Sequence, residues 1–313
     1  MIQEKITVGL GTEYPLNGML VLPDKREKPV PAVVFVHGSG SSNMDEKVMK
    51  LTPFKDLAEG LASHGIASIR YDKRSFAHGM KLLRDKNIVL TVKEETIEDA
   101  VLAADLLRKD SRIDSDNIFI VGHSMGAMLA PRIDAEGGNF KGLIMMAGTL
   151  RTLEEVMIDQ SNEAVKSMNK ILKFIAGKQM KKINESFKGL YEKPDEEAKK
   201  IKMGGGTTLY YFKEMGEHRA ADYLRQTEKP LLIMQGDKDF QVKKEVDFAG
   251  YQKLLKGRKN ATFRLYEGLN HAFVPYLTED ITKAKKEYGV ERHIGEDVIR
   301  DISIWIWNIA DEK

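Results

Sequence analysis

The chain has 313 residues, with 49 Lys and Arg against 47 Asp and Glu for a formal net charge of +2, and is 42% hydrophobic and 31% charged. Those are globular proportions, not those of a disordered or low-complexity chain, and so balanced a charge provides no large field to draw in nucleic acid. With no cysteine in the sequence, disulfides, thiolate metal sites and a cysteine nucleophile are excluded.

Ile2 to Leu10 and Leu16 to Leu22 read as two strands of a hairpin. Pro31-Ala-Val-Val-Phe-Val-His37 is a β-branched run of the kind found in strands buried on both faces, and it ends in the turn-rich His37-Gly-Ser-Gly-Ser-Ser42. Phe54, Leu57, Ala58 and Leu61 recur at helical spacing within Pro53 to His64. Ile66 to Tyr71 is the next strand, Thr96 to Arg108 a helix, Asn117 to Val121 a strand, Met125 to Ile133 a helix and Lys141 to Ala147 a strand. From Leu153 to about Tyr191 the pattern is helical, with Val165, Met168, Leu172 and Ile175 on one face. Pro194 starts a further short helix, and Gly204-Gly-Gly206 reads as a flexible joint. Alternation resumes with the strand Pro230 to Gln235, a helix near Lys243 to Leu255, the strand Thr262 to Tyr266 and an amphipathic helix from Ile294 to Ala310.

Repeated strand–helix units predict an α/β fold, a mostly parallel sheet with helices on both faces. The helical block, 150–222, reads as a cap inserted after strand six into a core of 1–149 and 223–313. The first residues, Met-Ile-Gln-Glu-Lys-Ile-Thr-Val, lack a basic stretch followed by an apolar one. The longest apolar runs, about five residues, fall well short of the roughly 20 needed to span a bilayer. A soluble, cytoplasmic protein without a membrane span is expected.

Gly122-His-Ser-Met-Gly126 matches G-x-S-x-G between a strand and a helix. A serine at that turn projects its hydroxyl out of the sheet, and small flanking residues avoid clashes. In a chain with 26 glycines a chance Gly/Ser turn is the plain alternative; the strand–turn–helix setting favours a nucleophile. Such a serine needs a base and an orienting acid. His271, in Gly268-Leu-Asn-His-Ala-Phe273 after the last strand, is the best-placed histidine. His37 suits support of its own loop, His64 a helix end, and His123 should point away from Ser124. Gly236-Asp-Lys-Asp-Phe-Gln-Val242 offers Asp237 and Asp239 as acids, either of which could instead form the turn. The turn after the third strand can aim an N–H at a developing oxyanion beside the Met125 N–H. Neither a phosphate-cradling loop nor metal-ligand spacing is complete, so no cofactor and no metal are expected.

Over nearly its whole length the chain resembles the α/β-hydrolases, and among them the bacterial carboxylesterases of the EstD type. The resemblance is carried by His37-Gly-Ser-Gly40, Pro53-Phe-Lys-Asp-Leu-Ala-Glu-Gly-Leu-Ala62, Ile69-Arg-Tyr-Asp-Lys-Arg74, Gly122-His-Ser-Met-Gly126, Leu129-Ala-Pro-Arg132, Gly236-Asp-Lys-Asp239 and Asn270-His271. It implies a Ser124–Asp239–His271 triad and an oxyanion hole from the Ser39 and Met125 N–H groups; the family's G-x-x-D-x-x-V pattern selects Asp239. Met125-Gly-Ala127 departs mildly from the Leu-Gly-Gly frequent in relatives. The implied activity is hydrolysis of small to medium carboxylic esters through an acyl-enzyme. Feruloyl esters, thioesters, amides, aminoacyl substrates and acyl transfer use the same machinery, and a binding protein that keeps the fold without turnover is a separate reading. A cap of this composition, with Met157, Met168, Met180 and Met203 and with Phe174 near its apolar face, is expected to select the substrate.

Overall fold

The computed structural model describes residues 1–25, 27–85, 88–166 and 170–311. The strands are β1 (Ile2–Val8), β2 (Leu16–Leu22), β3 (Val30–Val36), β4 (Ala67–Tyr71), β5 (Ile113–His123), β6 (Leu143–Met146), β7 (Lys202–Gly204), β8 (Thr207–Thr208), β9 (Leu231–Gly236) and β10 (Ala261–Tyr266). Eight of them form one sheet in the order β1-β2-β4-β3-β5-β6-β9-β10, while β7 and β8 make a separate ribbon. β1 and β2 pair antiparallel, as does β2 with β4; from β4 to β10 every neighbour is parallel.

The helices are α1 (Pro53–Ser63), α2 (Arg74–Arg84), α3 (Glu98–Lys109), α4 (Met125–Ile133), α5 (Leu153–Lys166), α6 (Lys170–Phe187), α7 (Asp195–Ala198), α8 (Leu209–Glu217), α9 (Ala220–Gln226), α10 (Ala249–Leu254), α11 (Ala284–Tyr288) and α12 (Glu296–Ala310). The two-residue period of a strand divides the core. Val34, Val36, Ile118, Ile120, Met145 and Ile233 pack with Ala100, Ala104, Leu129 and Ile133 of α3 and α4. Val33, Phe35, Phe119, Val121, Ile144 and Met234 face the other way, against Leu57 and Leu61 of α1 and Ile302 and Ile306 of α12. Residues that alternate in this way must be apolar at every position, which is why the central strands read as unbroken runs.

Chain order creates the site's location. After β3 the chain crosses to β4 on one side, and β5 returns to pair on the other side of β3. Val36 lies opposite Gly122, so the loops leaving β3 and β5 diverge side by side at the carboxyl ends of the strands, the crevice where open α/β sheets bind ligands.

Between β6 and β9 lies the helical block. Phe187, Leu190, Leu209, Tyr211, Phe212 and Met215 join the α3/α4 side of the core, so its apolar residues pack it onto the body. Met168 lies outside the described residues, as do the side chains of Leu172, Phe174 and Ile175. Gly204-Gly-Gly206, expected as a joint, makes the turn of the β7–β8 ribbon, with φ of 126°, 59° and 88° that glycine alone adopts without strain. Among the described residues no helix is long and apolar enough to cross a membrane.

Candidate active site

Ser124 follows β5 and caps α4 with φ 54° and ψ −116°, a conformation sterically costly for any residue with a Cβ. Its N–H donates to Met146 O at 2.9 Å, while its carbonyl accepts from Ala127 N–H and Met128 N–H at 3.0 and 3.2 Å. The backbone is thus fixed on both sides of the turn. The turn is possible only because its neighbours are glycine. A Cβ on Gly126 would collide with the Val36 carbonyl, and one on Gly122 with the Gly126 carbonyl.

His271 follows β10, and Asp239 follows β9. His271 Nδ1 stands 2.6 Å from Asp239 Oδ2. A carboxylate only accepts, so Nδ1 carries a proton, and in the neutral ring Nε2 is left to present its lone pair. Asp239 also accepts from Gln235 Nε2 at 2.9 Å, Gln241 N–H at 2.7 Å and Val242 N–H at 3.0 Å. Four donors around one buried carboxylate fix it in one orientation. Asp237 instead accepts from Gly268 N–H at 2.7 Å, tying the β9 and β10 loops together. Of the two candidate acids, it is Asp239 that meets His271.

Ser124 and His271 line one cleft of about 260 Å³ together with Gly38, Ser39, Ser41, Ser42, Glu46, Lys47, Val48, Pro53, His123, Gln241, Ala272 and Tyr288. Gln241 Nε2 donates to the Tyr288 hydroxyl at 2.7 Å, closing one wall. Among the described residues the N–H groups of Ser39 and Met125 have no hydrogen-bond acceptor in the protein; Ser39 lines the same cleft as Ser124, and Met125 follows Ser124 in the chain. Among the described residues, none that lines the cleft comes from the helical block. It touches the cleft wall where Gln160 Nε2 of α5 donates to Gln241 O at 3.1 Å, and from behind the Tyr211 hydroxyl lies 3.8 Å from Met125 Sδ and donates to Glu95 Oε2 at 2.6 Å.

His37 and His64 sit as their positions predict, whereas His123, expected to point away from Ser124, lines the same cleft and packs against His271. His37 donates from Nε2 to Asn43 O at 3.0 Å inside its own loop; burial pushes its pKa down to about 4, so the ring is neutral. His64 closes α1, its carbonyl accepting from Trp307 Nε1. His123 is buried, its Nε2 in hydrogen-bond contact with His271 O at 2.8 Å and its Nδ1 in ion-pair contact with Glu46 Oε2 at 2.9 Å, without hydrogen-bond geometry. Glu46 was not legible as a site residue: it is one carboxylate in a polar loop, and only the fold shows where that loop returns. Among the described residues no cluster of His, Asp and Glu is arranged to hold a metal ion.

The family model described as serine aminopeptidase, S33 matches residues 27–275. Esterase EstD of Thermotoga maritima is 34% identical over 291 residues, covering 93% of this chain and 65% of its own length; the chain thus spans just under two thirds of that curated relative. Similar solved structures include Est1E from Butyrivibrio proteoclasticus with ferulic acid bound (TM-score 0.59, 17% identity, 97% of this chain and 99% of that one). An esterase of Pyrococcus furiosus is also similar (TM-score 0.58, 15% identity, 98% and 92%). At such identities the structures bear on the fold, which is that of the α/β-hydrolases.

Proposed function

We propose that this chain, which belongs to the serine aminopeptidase S33 family of hydrolases, is a serine carboxylesterase acting on small to medium carboxylic esters. The observation that carries the reading is the 2.6 Å contact of His271 Nδ1 with Asp239 in a histidine that shares a cleft with Ser124. Ser124 Oγ attacks the ester carbonyl and its proton passes to His271 Nε2; the carbonyl oxygen becomes an oxyanion facing the Ser39 and Met125 N–H groups. Collapse of that intermediate breaks the bond to the alkoxy oxygen, which leaves with the proton from His271. Water then repeats the sequence on the acyl-enzyme, returning Ser124 and releasing the carboxylic acid. Asp239 holds the imidazole tautomer and stabilises the imidazolium formed in each half. The 34% identity to a curated esterase supports ester over amide chemistry.

We read residues 150–222 as a helical cap inserted into a hydrolase core of 1–149 and 223–313. The chain leaves after β6 and returns at β9, its neighbour in the sheet, which supports this division. The cap braces the site through Tyr211 and, where Gln160 donates to Gln241 O, through the cleft wall; that wall, formed by the 41–53 loop, Gln241 and Tyr288, selects the acyl group.

A panel of p-nitrophenyl esters of rising acyl length, with a feruloyl ester, a thioester and an aminoacyl anilide alongside, tests the reading. The expected result is kcat/KM highest on a simple carboxylic ester and abolished in Ser124→Ala. A preference for the aminoacyl anilide would make the enzyme an aminopeptidase instead.

A further inference from the structure

Two loops must keep a fixed separation for the proposed chemistry: the one after β3, which carries the Ser39 N–H, and the one after β10, which carries His271. Glu46 and His123 lie between them. Glu46 is buried, with a positive φ of 49° that only a specific demand on its position explains. Its Oε1 accepts from Gly38 N–H at 2.6 Å, next to the oxyanion peptide. Its Oε2 is 2.9 Å from His123 Nδ1, and His123 Nε2 is 2.8 Å from the His271 carbonyl. Nε2 thus bonds a carbonyl while Nδ1 stands in ion-pair contact with a carboxylate, a close pairing without hydrogen-bond geometry that suits the protonated imidazolium. The His123 and His271 rings are 4.8 Å apart. The same stretch of loop is held from its other side by the buried Lys73, whose Nζ donates to Gly38 O and Gly40 O, each at 3.0 Å, and pairs with Glu95 at 3.5 Å.

We propose that Glu46 and His123 are positioning residues: a buried carboxylate–imidazolium strut that runs from the Gly38 peptide to the His271 carbonyl and sets the distance between oxyanion donor and general base. The inference rests on the acyl-enzyme reading above. Neither side chain takes part in bond making. Each acts through a backbone group, so what the strut controls is stabilisation of the transition state, not ground-state binding.

The test measures kcat and KM per active site, titrated to completion with a fluorophosphonate, in Glu46→Ala, Glu46→Gln, Glu46→Asp, His123→Ala and the double alanine variant. It also measures inhibition by a trifluoromethyl ketone, to which Ser124 Oγ adds to leave an oxyanion. Glu46→Ala and His123→Ala should each lower kcat by about 10²-fold while KM moves less than about threefold. The ketone should weaken in proportion to kcat/KM. The double variant should be within about threefold of either single one, because the two act as a unit. Gln spans the same length without charge and should stay within about tenfold of the parent; Asp keeps the charge but is a methylene too short and should be about tenfold worse than Gln. Full per-site kcat in Glu46→Ala, additive losses in the double variant, or Asp outperforming Gln would overturn the strut. Should the alanine variants fail to fold, the Gln–Asp order still decides. Ester hydrolysis that survives in Ser124→Ala would instead overturn the acyl-enzyme reading, leaving the two failures distinct.

Discussion

Asp237 and Asp239 are two residues apart and do different things. Asp239 gathers Gln235, Gln241, Val242 and His271 around one carboxylate, whereas Asp237 receives the Gly268 N–H. Asp239→Asn is expected to lower kcat by roughly 10⁴, because the amide stabilises the wrong tautomer and no imidazolium; Asp237→Asn should cost less than about tenfold, through loop position alone. Steady-state kinetics on one ester checks both, and equal damage would break the assignment. His37 gives a prediction about pH. Its pKa falls to about 4 in the folded protein, from about 6.5 when unfolded. Between these values the unfolded chain binds the extra proton, so this group's contribution to stability is lost as pH falls from about 6.5 towards 4. Between pH 7 and pH 5 the loss is about 2 kcal/mol. In urea melts at the two pH values, His37→Gln should lose less stability than the parent by about that amount; parallel acid losses would contradict it.

At the scale of elements, the strand–turn–helix from β5 to α4 tolerates no side chain at Gly126, where a Cβ would meet the Val36 carbonyl. Gly126→Ala should therefore destabilise by about 3 kcal/mol or more, since backbone, unlike a flexible side chain, has to move. Gly177 is exposed within α6 and a Cβ there meets nothing within 4 Å; Gly177→Ala should stabilise by about 1 kcal/mol. Paired chemical denaturation curves test the contrast. Elements built on apolar burial were legible in the sequence: the runs of β3 and β6, the periodic face of α1, and α4 from Met125 to Ile133. β5 extends back to Ile113, beyond the apolar stretch, because Asp114 to Asp116 continue the strand at an exposed end. α2 escaped periodicity because it is anchored by charge. Arg74 meets Asp99 at 2.5 and 3.1 Å and Glu98 at 3.0 Å, with little apolar burial beyond Leu82. Glu46 and Tyr288 escaped for a related reason: each reaches the cleft through a long-range return of the chain that no local pattern encodes.

For the whole molecule, the question is which part of the chain reads the substrate. The helical block buries its apolar residues against the α3/α4 side of the core, while the cleft opens among the loops after β3, β9 and β10 and the α11 segment. We propose that the latter chooses the substrate, the helical block meeting the cleft wall through Gln160 on the Gln241 carbonyl. Tyr288→Ala, which removes one wall, should change the ratio of kcat/KM for long and short acyl esters by about tenfold or more, the worth of a few buried methylenes. Met157→Ala, on an exposed part of α5, should leave that ratio within about twofold. The reverse order would return selection to the cap. All of these expectations presuppose that Ser124 is the nucleophile, and one measurement addresses that directly. The protein is treated with a fluorophosphonate, digested, and the modified peptide sequenced by mass spectrometry. A single adduct on Ser124 is expected, absent from Ser124→Ala and slowed in Asp239→Asn. An adduct on any other serine, or ester turnover without an adduct on Ser124, would contradict it.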